Sequence, residues 1–219
     1  VSDTDGDIFL LDDEGNKKWK RTIPNCSGTS PKMEISDNGN YIAVSCNSKL
    51  YNLNHLNGNN LWVYSTNTYS HIKVDVNYKG DIVASFTWED CEAPCSPDIA
   101  AIIYFENGDS TPTWNYSKPV GYVHYLEFSP DGKYIGFCGR AYPDGSNWAQ
   151  GQAELIVAET NTSIFNHSWQ YYQCKGAAIS ADSNFFLFGG GINHGEHTTP
   201  PVFMYSKRVG DIVSVQNYT

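Results

Sequence analysis

Hydrophobic and polar positions repeat along this chain in two short units that alternate from one end to the other. The first unit is an apolar run, a tight polar turn and a second run carrying an aromatic residue, as in Gly6 to Arg21. Apolar runs bounded by Asp, Asn and Gly turns are typical of β-hairpins. Four further copies follow, with apolar runs at 50–53, 102–105, 155–158 and 202–205, and with Trp62, Trp114, Trp169 and no Trp, respectively, in the second run.

A second unit, also an apolar hairpin, precedes each of the last four copies. Its turns are anchored at Gly39, Gly80, Gly132 and Ser183, which are 41, 52 and 51 residues apart. Four short strands at such a period are typical of β-propeller blades, since a single blade cannot bury both of its faces without neighbours. We therefore predict an all-β fold: a β-propeller of four-stranded antiparallel blades, with about four and a half blades in this chain.

The repeat divides the chain into blades of one architectural unit, without a linker between them. Val1 and Ser2 are interpreted as the end of a strand B, so the first blade is partial. Its missing strands belong either to a longer propeller or to another chain that pairs with the open strand edge. The predicted blades are 1–22 (partial), 32–65, 72–117, 124–169 and 177–219.

Long loops between the second and third strands of the last three blades are candidates for binding. They cover 88–98, 139–152 and 189–201 and are expected on one face of the propeller. Loops on a rigid scaffold often carry recognition residues, although loop length without a role is the alternative. The candidate binding residues are Trp88, Asp90, Tyr142, Trp148, His194 and His197, with Tyr171 as a further aromatic that could stack on sugars.

The Leu-x-x-x-x-Gly-x-x-x-Trp spacing at Gly15 to Trp19 and Gly58 to Trp62, stretched at Gly108 to Trp114, resembles the quinoprotein-like (pyrroloquinoline-quinone-type) repeat. The stretch Ser129 to Ile135 resembles tryptophan–aspartate-type repeats. The resemblance implies a propeller, and it could imply a quinoprotein dehydrogenase. Those enzymes use a pair of adjacent cysteines and a bound calcium, and this chain has no adjacent cysteines. We therefore expect no cofactor.

Composition restricts the partners. The 219 residues carry a net charge of −10 and no Lys/Arg cluster, which argues against nucleic acid and against an anionic membrane surface. No apolar run reaches the 18 residues that a membrane span needs. The expected partners are other copies of the chain or an adjoining segment of a longer chain.

Six cysteines in loop-like positions favour disulfides, and hence an extracellular or cell-surface protein. Cys91 and Cys95 share one loop and can close locally. Cys26 and Cys46 flank the first two strands of one blade at the same end, which leaves Cys138 with Cys174. The alternative is free buried thiols in a cytosolic protein.

Five Asn-x-Ser/Thr sequons predict N-linked glycans. Glycans require exposed sites, and most of these sequons fall on or near the predicted outermost strands. Asn25 is the doubtful one, because a cysteine follows it. The sequons begin at Asn25, Asn115, Asn161, Asn166 and Asn217.

Two stretches are weak metal candidates. Asp3, Asp5 and Asp7 resemble the start of a calcium loop, but Leu11 stands where a further oxygen ligand is needed, so a strand turn is favoured. His194 and His197 flank a glutamate without the helical spacing of zinc proteases, so a solvated or interface loop is favoured. The acids Asp90, Glu92 and Asp98 share one loop, where an acidic surface is commoner than paired catalytic carboxylates.

No nucleophile elbow, phosphate-binding loop or dinucleotide fingerprint occurs, so we expect no enzymatic activity. The leading hypothesis is a non-catalytic extracellular propeller that acts as a structural or assembly module, for example the protomer of a glycosylated fibre or surface layer. The alternatives are a glycan- or protein-binding propeller and, less favoured, a secreted hydrolase or quinoprotein-like enzyme. Head-to-tail assembly is expected to involve the strand edge at 1–11.

Overall fold

The computed structural model describes residues 2–3, 5–26, 31–66, 71–87, 100–118, 122–141, 150–170, 172–192 and 201–217. All regular elements in these ranges are β-strands. They form one two-stranded and four four-stranded sheets, each an antiparallel meander in chain order. We call these sheets blades 1 to 5, and their strands agree with the predicted four and a half blades.

Blade 1 consists of β1 (Asp7–Leu11) and β2 (Lys17–Thr22). Blade 2 consists of β3 (Lys32–Ile35), β4 (Tyr41–Cys46), β5 (Lys49–Asn54) and β6 (Asn60–Ser65). Blade 3 consists of β7 (His71–Val76), β8 (Ile82–Thr87), β9 (Ala100–Phe105) and β10 (Trp114–Lys118). Blade 4 consists of β11 (Tyr122–Phe128), β12 (Tyr134–Ala141), β13 (Gln150–Val157) and β14 (Thr162–Gln170). Blade 5 consists of β15 (Tyr172–Ile179), β16 (Phe185–Ile192), β17 (Pro201–Ser206) and β18 (Asp211–Asn217).

Blade 1 has only the two strands that are third and fourth in the other blades. Beside β1, Ser2 forms an isolated antiparallel bridge with Ile8, and the Asp3 N–H donates to the Asp7 carbonyl at 3.1 Å. The start of the chain thus lies along the inner edge of β1, where a second strand of the blade belongs.

The turns between first and second strands explain the strongest repeat in the sequence. Gly39, Gly80, Gly132 and Ser183 all have positive φ, which glycine adopts most easily. Before three of these turns a serine hydroxyl closes the loop: the Tyr134 N–H donates to Ser129 Oγ at 2.9 Å, for instance, and that hydroxyl donates to Asp131 at 2.6 Å. Short-range side-chain bonds of this kind fix the turn locally.

The cores lie between blades. Four buried apolar clusters each join a blade to the next one in the chain. At the junction of blades 2 and 3, for example, Leu50 packs with Phe86 and Phe105, all three fully buried. Blades 2 to 4 carry apolar residues on both of their faces, because each of these blades has a neighbour on either side.

The repeated tryptophan donates a hydrogen bond from blade 1 to blade 2 and from blade 3 to blade 4. The Trp19 indole N–H donates to the His55 carbonyl at 2.9 Å, and that of Trp114 donates to the Ala158 carbonyl at 2.7 Å. In both cases the acceptor belongs to the turn between the third and fourth strands of the next blade. Trp19 and Trp114 therefore combine apolar burial with a directional hydrogen bond across the interface. Trp62, at the same position in blade 2, packs on Phe105 of blade 3 with ring centroids 5.2 Å apart, but its indole N–H has no hydrogen-bond partner among the described residues.

The prediction that Trp169 is the fourth copy of this tryptophan is wrong. Strand register pairs Leu10 with Trp19 and Leu155 with Phe165, so Phe165 occupies the equivalent position. Its ring centroid lies 4.3 Å from that of Tyr205 in blade 5. Trp169 is instead opposite Gly151, at the far end of a longer strand pair. The error arose because spacing in the sequence does not show where a strand begins.

Candidate functional site

Three carboxylates take the same place on successive innermost strands. Glu34, Asp75 and Glu127 each stand two residues before the first residue of their turn and lie opposite Ala43, Val83 and Gly136. The strands that carry them, β3, β7 and β11, contact one another in that order. These acids therefore form a row across the inner strands, which we call the acidic row.

Desolvation raises the pKa of every acid in the row, and a nearby carboxylate adds to the shift, which for Asp75 is Asp37 outside the row. Desolvation is the main cause for all three acids. The pKa of Glu127 reaches about 7, with Asp75 the first of its repelling neighbours. Asp75 also joins two blades, since its Oδ2 accepts the Phe128 N–H at 2.5 Å.

A basic tier lies nearer the start of the same strands. Lys32 and Lys73 precede their acids by two residues, and burial together with Lys32 lowers the pKa of Lys73. Burial also lowers the pKa of His124 to about 4, and Lys175 and Arg140 reinforce that shift. The inner strands thus carry acids and bases at separate levels along their length.

Neutralising Glu127 tests whether the charge of this carboxylate lowers the stability of the folded protein. Its pKa in the folded state, about 7, lies above the ordinary 4.5, so the folded state holds this proton more tightly than the unfolded state. Stability is then expected to fall as pH rises from about 4.5 to about 7 and to stay lower above that. Because the side chain is half exposed, screening reduces the expected loss to about 1 kcal/mol.

We therefore expect Glu127→Gln to raise the melting temperature at pH 8 and to flatten its decline between pH 5 and pH 8. Differential scanning calorimetry across that pH range measures both quantities. Glu106→Gln, at an exposed glutamate in the outer turn of blade 3, is the matched control and should leave the profile of the wild type unchanged. A variant profile that runs parallel to that of the wild type contradicts the assignment.

The acids near the start of the chain form a strand turn. Asp3 Oδ1 accepts the N–H groups of Asp5 and Asp7 at 3.0 and 2.9 Å. The Asp7 carboxylate is bound by Lys20 and Thr22, each at 2.5 Å, and these hydrogen bonds lower its pKa. Across the described ranges no three His, Cys, Asp or Glu side chains are grouped so that they could hold a metal ion.

The structure does not describe the candidate binding residues of the long loops. Trp88, Asp90, Tyr142, Trp148, His194 and His197 lie outside the described residues, as do Tyr171 and the Cys91–Cys95 pair. Their roles remain predictions. In the part of the chain that the structure covers, no helix is long and apolar enough to cross a membrane.

Two of the three predicted disulfides are present. Cys26 is bonded to Cys46 and Cys138 to Cys174, with Cα atoms 5.9 and 5.5 Å apart. The second bond joins β12 of blade 4 to β15 of blade 5, and both of its cysteines are fully buried. This bond fixes the inner part of one blade against the next.

The sequon asparagines lie on or next to outer strands, with one exception. Asn115 and Asn166 are exposed on β10 and β14 and face Ile103 and Glu154, which are equivalent positions of adjacent blades. Asn161 is half-buried in a turn, with φ of 55°. Asn217 ends β18. Asn25, the exception, precedes the buried disulfide at Cys26.

The two outermost sheets each have a face that no described residue of another blade covers. We call the face of blade 1 that carries Leu11 the leading face, and the face of blade 5 that carries Leu187 the trailing face. Leu11 is 40% exposed, whereas the residues at the same place on the third strand of blades 2 to 5 are at most 3% exposed: Leu53, Phe105, Ile156 and Tyr205.

Leu187 shows the same contrast on the trailing face. It is 39% exposed, whereas its equivalents Ala43 and Val83 are fully buried. In blade 4 the equivalent is Gly136, whose missing side chain makes room for Phe186 of blade 5. Both leucines therefore occupy positions that a neighbouring blade covers wherever such a blade is present.

Comparison with solved structures supports the class of the fold. The chain superposes on a chain described as "Structure of Dos1 propeller" with a TM-score of 0.65 at 15% identity, covering 99% of this chain and 54% of that one. It also superposes on Kuenenia stuttgartiensis hydrazine synthase with a TM-score of 0.64 at 13% identity, covering 97% of this chain and 59% of that one. The protein is therefore a β-propeller by fold.

The chain spans little more than half the length of these two structures. At such low identity the likeness shows the fold and does not transfer an activity. No protein-family model matches the sequence, and no curated protein matches it either. The quinoprotein-like repeat type thus remains a resemblance.

The acidic row was missed when the sequence was considered alone. Its signal is visible in the repeats Met33-Glu34-Ile35-Ser36, Val74-Asp75-Val76-Asn77 and Leu126-Glu127-Phe128-Ser129, each with an acid between two apolar residues. In a two-residue alternation such an acid is expected to face solvent. Only the circular arrangement of the inner strands brings the three acids near one another.

Proposed function

We propose that this protein is a non-catalytic β-propeller that acts as an extracellular structural or assembly module, with other copies of itself as partners. The observation that carries the proposal is the exposure of Leu11 and Leu187 at positions that are buried in every blade with a neighbour. Apolar surface of this kind is favourable to cover, because its burial removes it from water.

Two further observations support the proposed setting. Buried disulfides at Cys26–Cys46 and Cys138–Cys174 suit an oxidising compartment. Asn115 and Asn166, the exposed sequons on adjacent outer strands, would place N-linked glycans on the rim, away from the leading and trailing faces. A glycosylated fibre or surface layer is the form of assembly that we propose.

Sedimentation velocity of the purified natural protein, from micromolar to near-millimolar concentration, tests the proposal. We expect species larger than a single glycosylated copy, increasing with concentration, and particles of regular repeat in negative-stain images. A protein that sediments as a single unassociated species throughout contradicts the proposal and favours a self-contained propeller that binds glycans or proteins.

A further inference from the structure

The trailing face of blade 5 contains a groove. Its volume is about 470 Å³, and its walls include Ala178, Leu187 and Val202, with Lys175 at one side. Gly189 and Gly190 carry no side chain, so the backbone itself forms the floor there. A groove of this shape accepts bulky apolar side chains, as expected of an unfilled packing surface.

The chain itself shows how such a surface is filled. A Cβ atom added at Gly136 of blade 4 would lie 2.9 Å from Phe186 and 3.0 Å from Ile179 of blade 5. The space left by the absent side chain of Gly136 thus accommodates the Phe186 ring of the next blade. The groove beside Gly189 lies on the equivalent face, one blade further along.

Every interface within the chain has the same polarity. A face equivalent to the trailing face always packs on a face equivalent to the leading face: Tyr104 on Ile156, for example, and Leu155 on Tyr205. The described part of the chain leaves one face of each kind exposed. Two unlike faces that match each other form a heterologous, head-to-tail contact, which generates a ring or a filament.

We infer that the trailing face of one copy binds the leading face of a second copy, with Leu11 directed into the groove beside Leu187. This inference rests on the proposed assembly function and specifies its contact. The occupant is a second copy because the same chain supplies both matching faces, and the contact continues the interface that already joins its blades. If two trailing faces met instead, one groove would lie against another and Leu11 would enter neither.

Two surface variants test this polarity. Leu11→Asp alters only the leading face, and Leu187→Asp alters only the trailing face. Each variant alone is expected to sediment as a single copy, because one of its two contacts is lost. Mixing them in equal amounts is expected to restore one contact, between the intact trailing face of the first and the intact leading face of the second, and to give a species of two copies.

Leu56→Asp is the matched control, at a leucine that is 75% exposed in an outer turn and on neither face. It should assemble like the wild type. Circular dichroism melting checks that each variant is folded; if Leu187→Asp is not, Leu187→Thr replaces it, since threonine keeps the preference for strand while removing apolar surface.

The outcomes separate the inference from the proposed function. A wild type that does not associate overturns both. If the wild type associates but both variants still assemble fully, the head-to-tail contact is wrong and the assembly function stands. Loss of assembly in both variants without recovery on mixing also overturns the polarity. A natural chain that fills both faces with blades of its own would show neither association nor any effect of the two variants.

Discussion

Replacing Gly80 by alanine is expected to lower the free energy of unfolding by about 4 kcal/mol. Gly80 has φ of 92°, a conformation that strains any residue with a side chain. A Cβ atom there would lie 2.6 Å from the Tyr41 ring and 2.8 Å from Asn107 Cγ. Neither neighbour can move freely, because Asn107 Nδ2 donates to the Tyr41 hydroxyl at 3.1 Å and to the Lys79 carbonyl at 2.8 Å.

Gly39→Ala is the control for this substitution, at the same turn position in blade 2. Its φ is 71°, but nothing lies within 4 Å of an added Cβ atom, so only backbone strain of about 1 kcal/mol is expected. Gly132→Ala should fall between the two, since its Cβ atom would lie 3.0 Å from Asn77. Urea unfolding at 25 °C measures all three. Equal losses at Gly39 and Gly80 would show that contact with Tyr41 does not matter.

The fold could be predicted because its strongest constraints are local. A turn that needs positive φ selects glycine wherever it recurs, so Gly39, Gly80 and Gly132 appear in the sequence at the period of the blades. Ser183 keeps the conformation without the glycine, with φ of 56°. Ser180 and Asp182 still marked the turn, because they supply the same short-range hydrogen bonds.

Which residues take the same position in different blades was harder to predict than the number of blades. Phe165 and Trp169 are four residues apart on one long strand, and both rings contact blade 5. Only the pairing of Phe165 with Leu155 shows which of them takes the place of Trp19. A strand register is set by contacts between segments distant in the chain. For the same reason the exposed positions Leu11 and Leu187 look like any other apolar residue of the repeat, and their exposure becomes visible only when the blades are placed side by side.

The acidic row shows a second limit of the repeat pattern. Glu34, Asp75 and Glu127 are separated by 41 and 52 residues, and each is unremarkable within its own strand. Their raised pKa values depend on desolvation at the inner edge and on neighbouring carboxylates, which are properties of the assembled sheets. A comparison of polar residues at matched repeat positions would have singled them out.

Removing the disulfide between blades 4 and 5 is expected to have the second largest effect. The double variant Cys138→Ala/Cys174→Ala should lose about 3 kcal/mol of stability, since the bond closes a loop with a sequence separation of 36 residues and so restricts the unfolded chain. The loss should also be local in the folded state, because β12 and β15 are no longer joined. Amide hydrogen exchange is therefore expected to accelerate in blade 5 more than in blade 2.

The pair Cys26→Ala/Cys46→Ala is the control for that locality. Its sequence separation is 20 residues, so its loss of stability should be similar, but exchange should accelerate around β2 to β4 and not in blade 5. Guanidinium unfolding gives the free energies, and exchange followed by mass spectrometry gives the locations. If the Cys138 and Cys174 variant lost less than about 1 kcal/mol, or if exchange rose equally in all blades, the bond would not be what holds blade 5 to blade 4. The apolar contacts around Phe186 and Phe188 would then suffice by themselves.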